Sequence, residues 1–210
     1  IMPDLGFNMN IRDGYINNKN VPSPLKNLFL NFDTKLPSLN TDSLYVNIDS
    51  IYFNIDKDYF SSIIKLNNLN KPEIHAAINA EMDLEKWDHS LGVQPFDVKG
   101  LCSIHFTADG KYETKVIPKG LRGTDTVTSS IPAFNLQSSV SNGYFKYASL
   151  PQAIKNISFR LNASNTDYNY THTNLSVEEL NANMLSDYIK GYFKINNLTK
   201  VDADIKSLLH

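Results

Sequence analysis

The chain contains a single cysteine, Cys102, so no disulfide can form within its 210 residues. No apolar run approaches the roughly 18 residues that a membrane-spanning helix needs, and no signal peptide is visible. Neither sign of charge dominates, because 20 basic residues stand against 22 acidic ones. The chain therefore lacks the basic field that attracts nucleic acid, and we expect no nucleic-acid partner.

Metal-ligand and catalytic patterns are also missing. No histidine has a second His, Cys or carboxylate at metal-ligand spacing. The histidines are His75, His89, His105, His172 and His210. Cys102 and His105 could pair as nucleophile and base, but strand alternation would point them to opposite faces. No carboxylate pair supports a hydrolase either. We therefore expect no metal site, no cofactor and no enzymatic activity.

What the sequence does contain is an internal duplication, in which Gly14 corresponds to Gly143 and every other equivalent pair has the same separation. Similar segments recur at this separation: IRDGYI (11–16) and VSNGYF (140–145), KLNNLNK (65–71) and KINNLTK (194–200). No gap is needed to align the two copies. We therefore predict two β-units, residues 1–129 and a second, truncated copy over 130–210.

The repeated unit has the two-residue period of β-strands. Apolar and polar residues alternate through 5–11, and the same period recurs at 60–66, 74–84 and 98–106. The fold class that we expect is mainly β, with two repeated antiparallel β-units forming a long curled sheet.

Three local patterns interrupt the alternation. Its phase slips by one residue at Asp49-Ser50 and again at the equivalent Glu178-Glu179, which predicts a β-bulge in each copy. Asp-Gly or Asn-Gly pairs between apolar residues predict tight hairpin turns at three places. These pairs are Asp13-Gly14, Asp109-Gly110 and Asn142-Gly143. Residues 118–130, rich in Gly, Thr and Ser, predict a loop.

One short helix is predicted near 84–91, between the two copies. Asp83 is suited to be its N-cap, and Gly92 to end it. Leu84, Trp87 and Leu91 fall on one helical face, so we expect the helix to pack that face on the sheet.

The segment IPAFNLQSSVSNGYFKYASLPQAIKNISFRL (131–161) resembles the AsmA family of bacterial envelope proteins, especially the AsmA-like C-terminal region of Bacteroidetes. The shared pattern is a Pro before an alternating strand, then Asn/Asp-Gly-aromatic, Leu-Pro and a Lys/Glu-Asn-Ile strand. The first copy matches it more loosely, in MPDLGFNMNIRDGYI (2–16) and VPSPLKNLFLNF (21–32).

The resemblance implies a location and a task. AsmA-like proteins are held in the inner membrane by an N-terminal helix and extend a groove-shaped β-structure into the bacterial periplasm. They are related to TamB and to bridge-like lipid-transfer proteins, and are linked to outer-membrane biogenesis and phospholipid movement. The family has no catalytic residues to carry over. We expect this chain to be a piece of a longer protein whose membrane anchor lies outside it.

The expected site is an apolar strand face that holds a phospholipid or other apolar ligand. Its candidate residues are Phe7, Met9, Ile11, Leu30, Phe32, Val46, Ile48, Phe134, Leu136, Val140, Phe159 and Leu161. A dimer could also form through this face. Two alternatives remain open from sequence: the same residues form an ordinary closed core, or the chain is a surface β-sandwich that binds protein or carbohydrate.

Overall fold

The computed structural model describes residues 2–17, 23–91, 96–120, 123–149, 151–198 and 200–208. The elements are β1 (Leu5–Ile16), β2 (Leu25–Leu36), β3 (Tyr45–Ile55), β4 (Asp58–Asn67), β5 (Glu73–Asp83), α1 (Leu84–Leu91), β6 (Phe96–Lys111), β7 (Glu113–Lys119), β8 (Gly123–Ser130), β9 (Ala133–Tyr147), β10 (Ile154–Asn165), β11 (Asn174–Met184), β12 (Asp187–Asn196) and β13 (Lys200–Leu208). Short 3₁₀ turns occupy Pro37–Leu39, Thr41–Ser43 and Tyr170–His172.

The strands form one open antiparallel sheet of 11 strands, ordered β1-β2-β3-β4-β5-β6-β9-β10-β11-β12-β13. The remaining two strands, β7 and β8, pair with each other in a separate hairpin. The expected fold class is therefore confirmed: a mainly β chain with a long antiparallel sheet and one short helix. None of the described helices has the length and apolarity needed to cross a bilayer.

The duplication recurs in the backbone at the same separation as in the sequence. Strand β10 begins and ends at the equivalents of the first and last residues of β2, and the 3₁₀ turns Thr41–Ser43 and Tyr170–His172 correspond in the same way. Left-handed backbone also recurs at equivalent positions. The matching residues are Asp13 and Asn142, Asn27 and Asn156, Asp56 and Leu185, Asn68 and Asn197. Because both copies belong to one sheet, the division into units 1–129 and 130–210 stays a prediction.

The predicted hairpin turns at the Asx-Gly pairs are wrong, because each pair lies inside a strand. Asp13 and Asn142 adopt φ of 54° and 52°, and the pairing register of β1 and β9 shifts beside them. Asp109-Gly110 continues β6, in register with β5. An Asx residue tolerates left-handed backbone in a bulge as well as in a turn, so the sequence signal is shared by both structures.

Glycine follows the bulge residue because neighbouring strands approach closely there. A Cβ on Gly143 would lie 2.8 Å from the Ile157 Cβ, and one on Gly14 would lie 3.0 Å from the Leu28 Cβ. Such distances are shorter than atoms tolerate without displacement. The repeated Asx-Gly pair therefore marks a close approach of strands rather than a reversal of the chain.

Two further local predictions have opposite outcomes. The bulges at Asp49-Ser50 and Glu178-Glu179 are confirmed, because the register shifts between Ile48 and Ile51 and at the equivalent place in β11. The loop predicted over 118–130 is wrong, since most of it belongs to the β7–β8 hairpin. Its Thr and Val residues are β-branched and favour extended backbone, which outweighs the glycines.

The predicted helix is confirmed as α1. The Asp83 carboxylate accepts a hydrogen bond from the Glu85 backbone N–H at 3.2 Å, as an N-cap does. Lys99 donates a 2.6 Å hydrogen bond to the Glu85 carboxylate, which ties α1 to β6. This bond raises the pKa of Lys99 and keeps the ammonium charged. Gly92, the predicted C-terminal stop, lies outside the described residues.

In the described part of the chain, no second large sheet accompanies the 11-stranded one, because the only other strands pair in the β7–β8 hairpin. The strands of the large sheet make extensive contacts only with their sheet neighbours, with α1 and with adjoining turns. Few of the described apolar residues are buried. They are Ile55, Ala76, Ala80, Trp87, Ala108 and Ala153. A β-sandwich would require a second sheet packed face to face on the first, and the described strands do not form one.

Candidate functional site

The two faces of the sheet differ sharply in polarity. Residues paired across antiparallel strands share a face, so the register assigns each side chain to one side. One row of paired residues crosses all 11 strands: Ile11, Leu30, Ile51, Ser62, Ile78, Phe106, Leu136, Ala163, Leu175, Ile195 and Val201. Every member except Ser62 is apolar. We call the side that carries this row the apolar face.

The opposite side, the polar face, carries a matching polar row. Its paired residues run from β4 to β13: Ser61, Asn79, His105, Gln137, Asn162, Ser176, Lys194 and Asp202. Lys194 donates a hydrogen bond to the Glu178 carboxylate beside this row, which lowers the pKa of Glu178. Along these two rows, hydrogen-bonding and charged groups prevail on one face and apolar side chains on the other.

Every residue predicted for the site lies on the apolar face. Met9 pairs with Phe32 and Phe32 with Ile48, which connects β1, β2 and β3 in the first copy. In the second copy Phe159 pairs with Val140. The register of β4, β5 and β6 places the two groups on the same side of one sheet. Their role in binding stays a prediction.

The apolar face is larger than the predicted set. Strands between and beyond the two groups add to it, and the alternation of these strands is visible in the sequence. The additional residues include Ile64, Leu66, Ile74, Ala76, Ile78, Ile104, Phe106, Leu175, Val177, Phe193 and Ile195. The same two-residue period, applied to 60–66, 74–84 and 98–106, would have identified the central ones.

The helix covers the part of the apolar face around Phe53 and Phe60. The Trp87 ring lies 5.2 Å from the Phe53 ring and 6.3 Å from the Phe60 ring, and Trp87 is 8% exposed. Away from this cluster the face is open to differing degrees. Phe7 is 53% exposed, and Val201 is 65% exposed. Near β11 and β12 the surface has a depression of about 180 Å³, lined by Ile154, Ala182, Met184 and Ile189 among others.

Cys102 lies on the apolar face, opposite Val140 and Met82. Burial raises the pKa of its thiol, and the nearby Glu81 carboxylate raises it further. His105 lies on the polar face, where its ring contacts the Asn79 side chain at 3.0 Å. The two residues therefore do not form the nucleophile and base pair considered from the sequence, and the thiol is poorly ionised near neutral pH.

The histidines that the structure describes with their side chains have polar partners. His75 Nδ1 lies 2.8 Å from an Asp109 carboxylate oxygen, and His172 contacts Asp167. The hydrogen bond from His172 lowers the pKa of Asp167. In the described ranges, no three His, Cys, Asp or Glu residues cluster closely enough to hold a metal ion.

Comparison with known proteins identifies no relative of this chain. No family model matches the chain, and no curated protein or solved structure is detectably similar to it. The apolar face is therefore interpreted from its own geometry.

Proposed function

We propose that this chain is a non-enzymatic segment of an AsmA-like envelope protein, and that its apolar face shelters the acyl chains of phospholipids in the bacterial periplasm. The parent protein would be anchored in the inner membrane and serve outer-membrane biogenesis or maintenance. The resemblance of residues 131–161 to that family supports the location. The apolar face supports the ligand class.

The observation that carries the proposal is the apolar row across the whole sheet. Eleven strands are separated by ten intervals of about 4.8 Å, so the row is roughly 48 Å long. One leaflet's acyl region is about 15 Å thick, half of a bilayer core of about 30 Å. The row is therefore about three times as long as the acyl region of one leaflet, which is long enough for an extended acyl chain to lie on it. Patches larger than a few hundred Å² on a protein surface mark binding sites more often than not.

The two faces suit an amphipathic ligand. Acyl chains on the apolar face would gain about 0.8 kcal/mol for each methylene group removed from water. Headgroups would extend past the strand ends into solvent. A closed core offers no such arrangement, because its apolar side chains contact only protein.

Lipid on the apolar face is expected to protect Cys102 from alkylation. The delipidated chain is mixed with vesicles of phosphatidylethanolamine and phosphatidylglycerol, and the rate of maleimide addition is followed by mass spectrometry. Bound acyl chains cover the thiol, so its reaction should slow. The matched control is Leu101→Cys in a Cys102→Ser background, since residue 101 is 57% exposed on the polar face. Equal rates with and without vesicles at Cys102 would contradict the proposal.

Phe159→Asp is expected to leave the chain folded and to weaken lipid retention. Phe159 is only half-buried, so a carboxylate there can reach water. Loss of two methylene contacts, at about 0.8 kcal/mol each, would lower affinity roughly tenfold. Native mass spectrometry measures the retained lipid, and circular dichroism measures the melting temperature.

The control for Phe159→Asp is Asn162→Asp, which adds a carboxylate to the polar face of the same strand and should retain lipid. A closed core would behave differently, because a buried unpaired carboxylate is strongly destabilising. A large fall in melting temperature for Phe159→Asp, with no lipid detected on the unmodified chain, would therefore favour a plain β-domain.

A further inference from the structure

Strand β1 forms one edge of the sheet, and its outer side pairs with no strand in the described part of the chain. Natural edge strands usually carry charges or proline that block pairing with other chains. Residues 5–11 of β1 contain neither. Leu5 and Phe7 are each 53% exposed on the apolar face. Over these residues the edge is therefore uncharged and open to another strand.

The duplication indicates what kind of strand suits this edge. Strand β9 is the equivalent of β1 in the second copy, and its corresponding edge is paired with β6. There Leu136, the equivalent of Phe7, faces Phe106. Val140, the equivalent of Ile11, faces Cys102. An antiparallel strand with apolar residues on the apolar face thus occupies the same edge in the other copy.

The other edge of the sheet, formed by β13, differs because it carries charged residues. Strand β13 presents acidic and basic residues along the polar face. They are Lys200, Asp202, Asp204 and Lys206. Charges of this kind are a common protection of edge strands against pairing. Of the two sheet edges, that of β1 lacks this protection over residues 5–11.

We propose that two copies of this chain pair through their β1 strands, antiparallel and about a two-fold axis perpendicular to the sheet at Asn8. The strand is complementary to itself in this register. Phe7 faces Met9 of the other copy, and Leu5 faces Ile11, so apolar residues meet only apolar residues. Asn8 faces Asn8 of the other copy, so no charges of like sign meet between residues 5 and 11.

The ends of the paired segment are also compatible. The same register brings Asp4 of one copy beside Arg12 of the other, a contact of opposite charges. Asp4 accepts a hydrogen bond from the Ser38 backbone N–H at 2.6 Å, which holds its carboxylate near the start of β1. A perpendicular two-fold axis keeps both apolar faces on one side, so the apolar face continues across the dimer. The pairing itself uses backbone groups and does not depend on lipid binding.

Sedimentation equilibrium on the delipidated chain tests the pairing. The unmodified chain is expected to be a dimer. Asn8→Lys is expected to be a monomer, because it places two ammonium groups opposite each other at the axis. Asn8→Glu should be a monomer for the same reason, and an equimolar mixture of the two variants should dimerise again. Asn10→Lys is the matched control, since it lies on the same face but opposite Gly6 and should still dimerise.

Circular dichroism checks that each variant is folded, which is expected because Asn8 and Asn10 are exposed. A monomeric unmodified chain at high concentration would overturn the proposal. So would a dimer that survives both Asn8 substitutions, because association would then use another surface such as the apolar face. Binding of a synthetic peptide of residues 99–111 to a monomeric chain would show that the edge takes a β6-like strand instead of a second copy.

Discussion

Gly143→Val is expected to destabilise the chain by about 3 kcal/mol, at the upper end of the usual cost of overpacking. A Cβ there would lie 2.9 Å from the Ile157 carbonyl oxygen and 3.0 Å from the Val140 Cγ1. On the other side of β9, a Cβ on Gly100 would already lie 2.8 Å from the Gly143 Cα. Neither β6 nor β10 can move away without breaking its pairing with β9. Urea denaturation measures the loss.

Two other glycines provide graded controls for this substitution. Gly14→Val is the equivalent change in the first copy, but its closest contacts are the side chains of Ile11 and Leu28. In addition, no described strand pairs with the outer side of β1. We expect a smaller loss there, about 1 kcal/mol. Gly6→Val should be close to neutral, because its Cβ would meet only the Thr34 oxygen at 3.5 Å. Equal losses at all three positions would show that the effect is not steric.

Trp87→Ala is expected to cost about 3–5 kcal/mol, the range for removing a buried aromatic side chain. Trp87 connects α1 to the Phe53 and Phe60 rings, and the three rings form an apolar cluster where the helix covers the apolar face. Ala80, which pairs with Phe60, is fully buried beside this cluster. Without the indole ring the helix loses its main anchor to the sheet. Thermal and urea unfolding both report the change.

Trp87→Phe separates ring packing from hydrogen bonding. The indole Nε1 of Trp87 is buried and has no hydrogen-bond partner in the described residues. Replacing it with phenylalanine removes an unsatisfied donor and keeps an aromatic ring, so the loss should be well below that of Trp87→Ala. If Trp87→Phe were as destabilising as Trp87→Ala, the indole N–H would have a partner that the packing does not reveal.

The strands and faces could be predicted because they depend on a short period in the sequence. Alternation through 5–11 assigns Phe7 and Met9 to one side, and pairing in a sheet preserves this assignment from strand to strand. The phase slip at Asp49-Ser50 is equally local, since an extra residue in a strand must reverse the side that follows. Because the chain is duplicated, each of these patterns occurs twice, and the two occurrences support the same prediction.

The Asx-Gly pairs could not be interpreted from local sequence because two structures require the same residues. A tight turn and a bulge both accept Asp13 or Asn142 in left-handed backbone. What distinguishes them is the distance to the neighbouring strand, which the residues around the pair do not encode. Gly143 is needed because Ile157 approaches it, and that approach is a property of the assembled sheet.

The extent of the apolar face depends on a similar non-local fact. Helix α1 could be predicted, but the sequence does not show that the helix covers the apolar face only around Phe53 and Phe60. Nor does it show that β6 pairs with β9 and so joins the apolar residues of both copies. Which residues are paired across strands decides how far the face extends, and pairing across an intervening hairpin leaves little trace in a local pattern.

Since each strand depends chiefly on the strands beside it, the sheet behaves energetically as a linear array. Its free energy of folding approximates a sum of neighbour terms, and unfolding can begin at either end without the whole sheet being lost at once. Most neighbouring strands are also adjacent in the chain, which favours rapid folding. Strands β6 and β9 are neighbours in the sheet but are separated in the chain by the β7–β8 hairpin, so they have the longest connection between paired strands. Cooperativity between the two copies therefore passes through a single pair of strands.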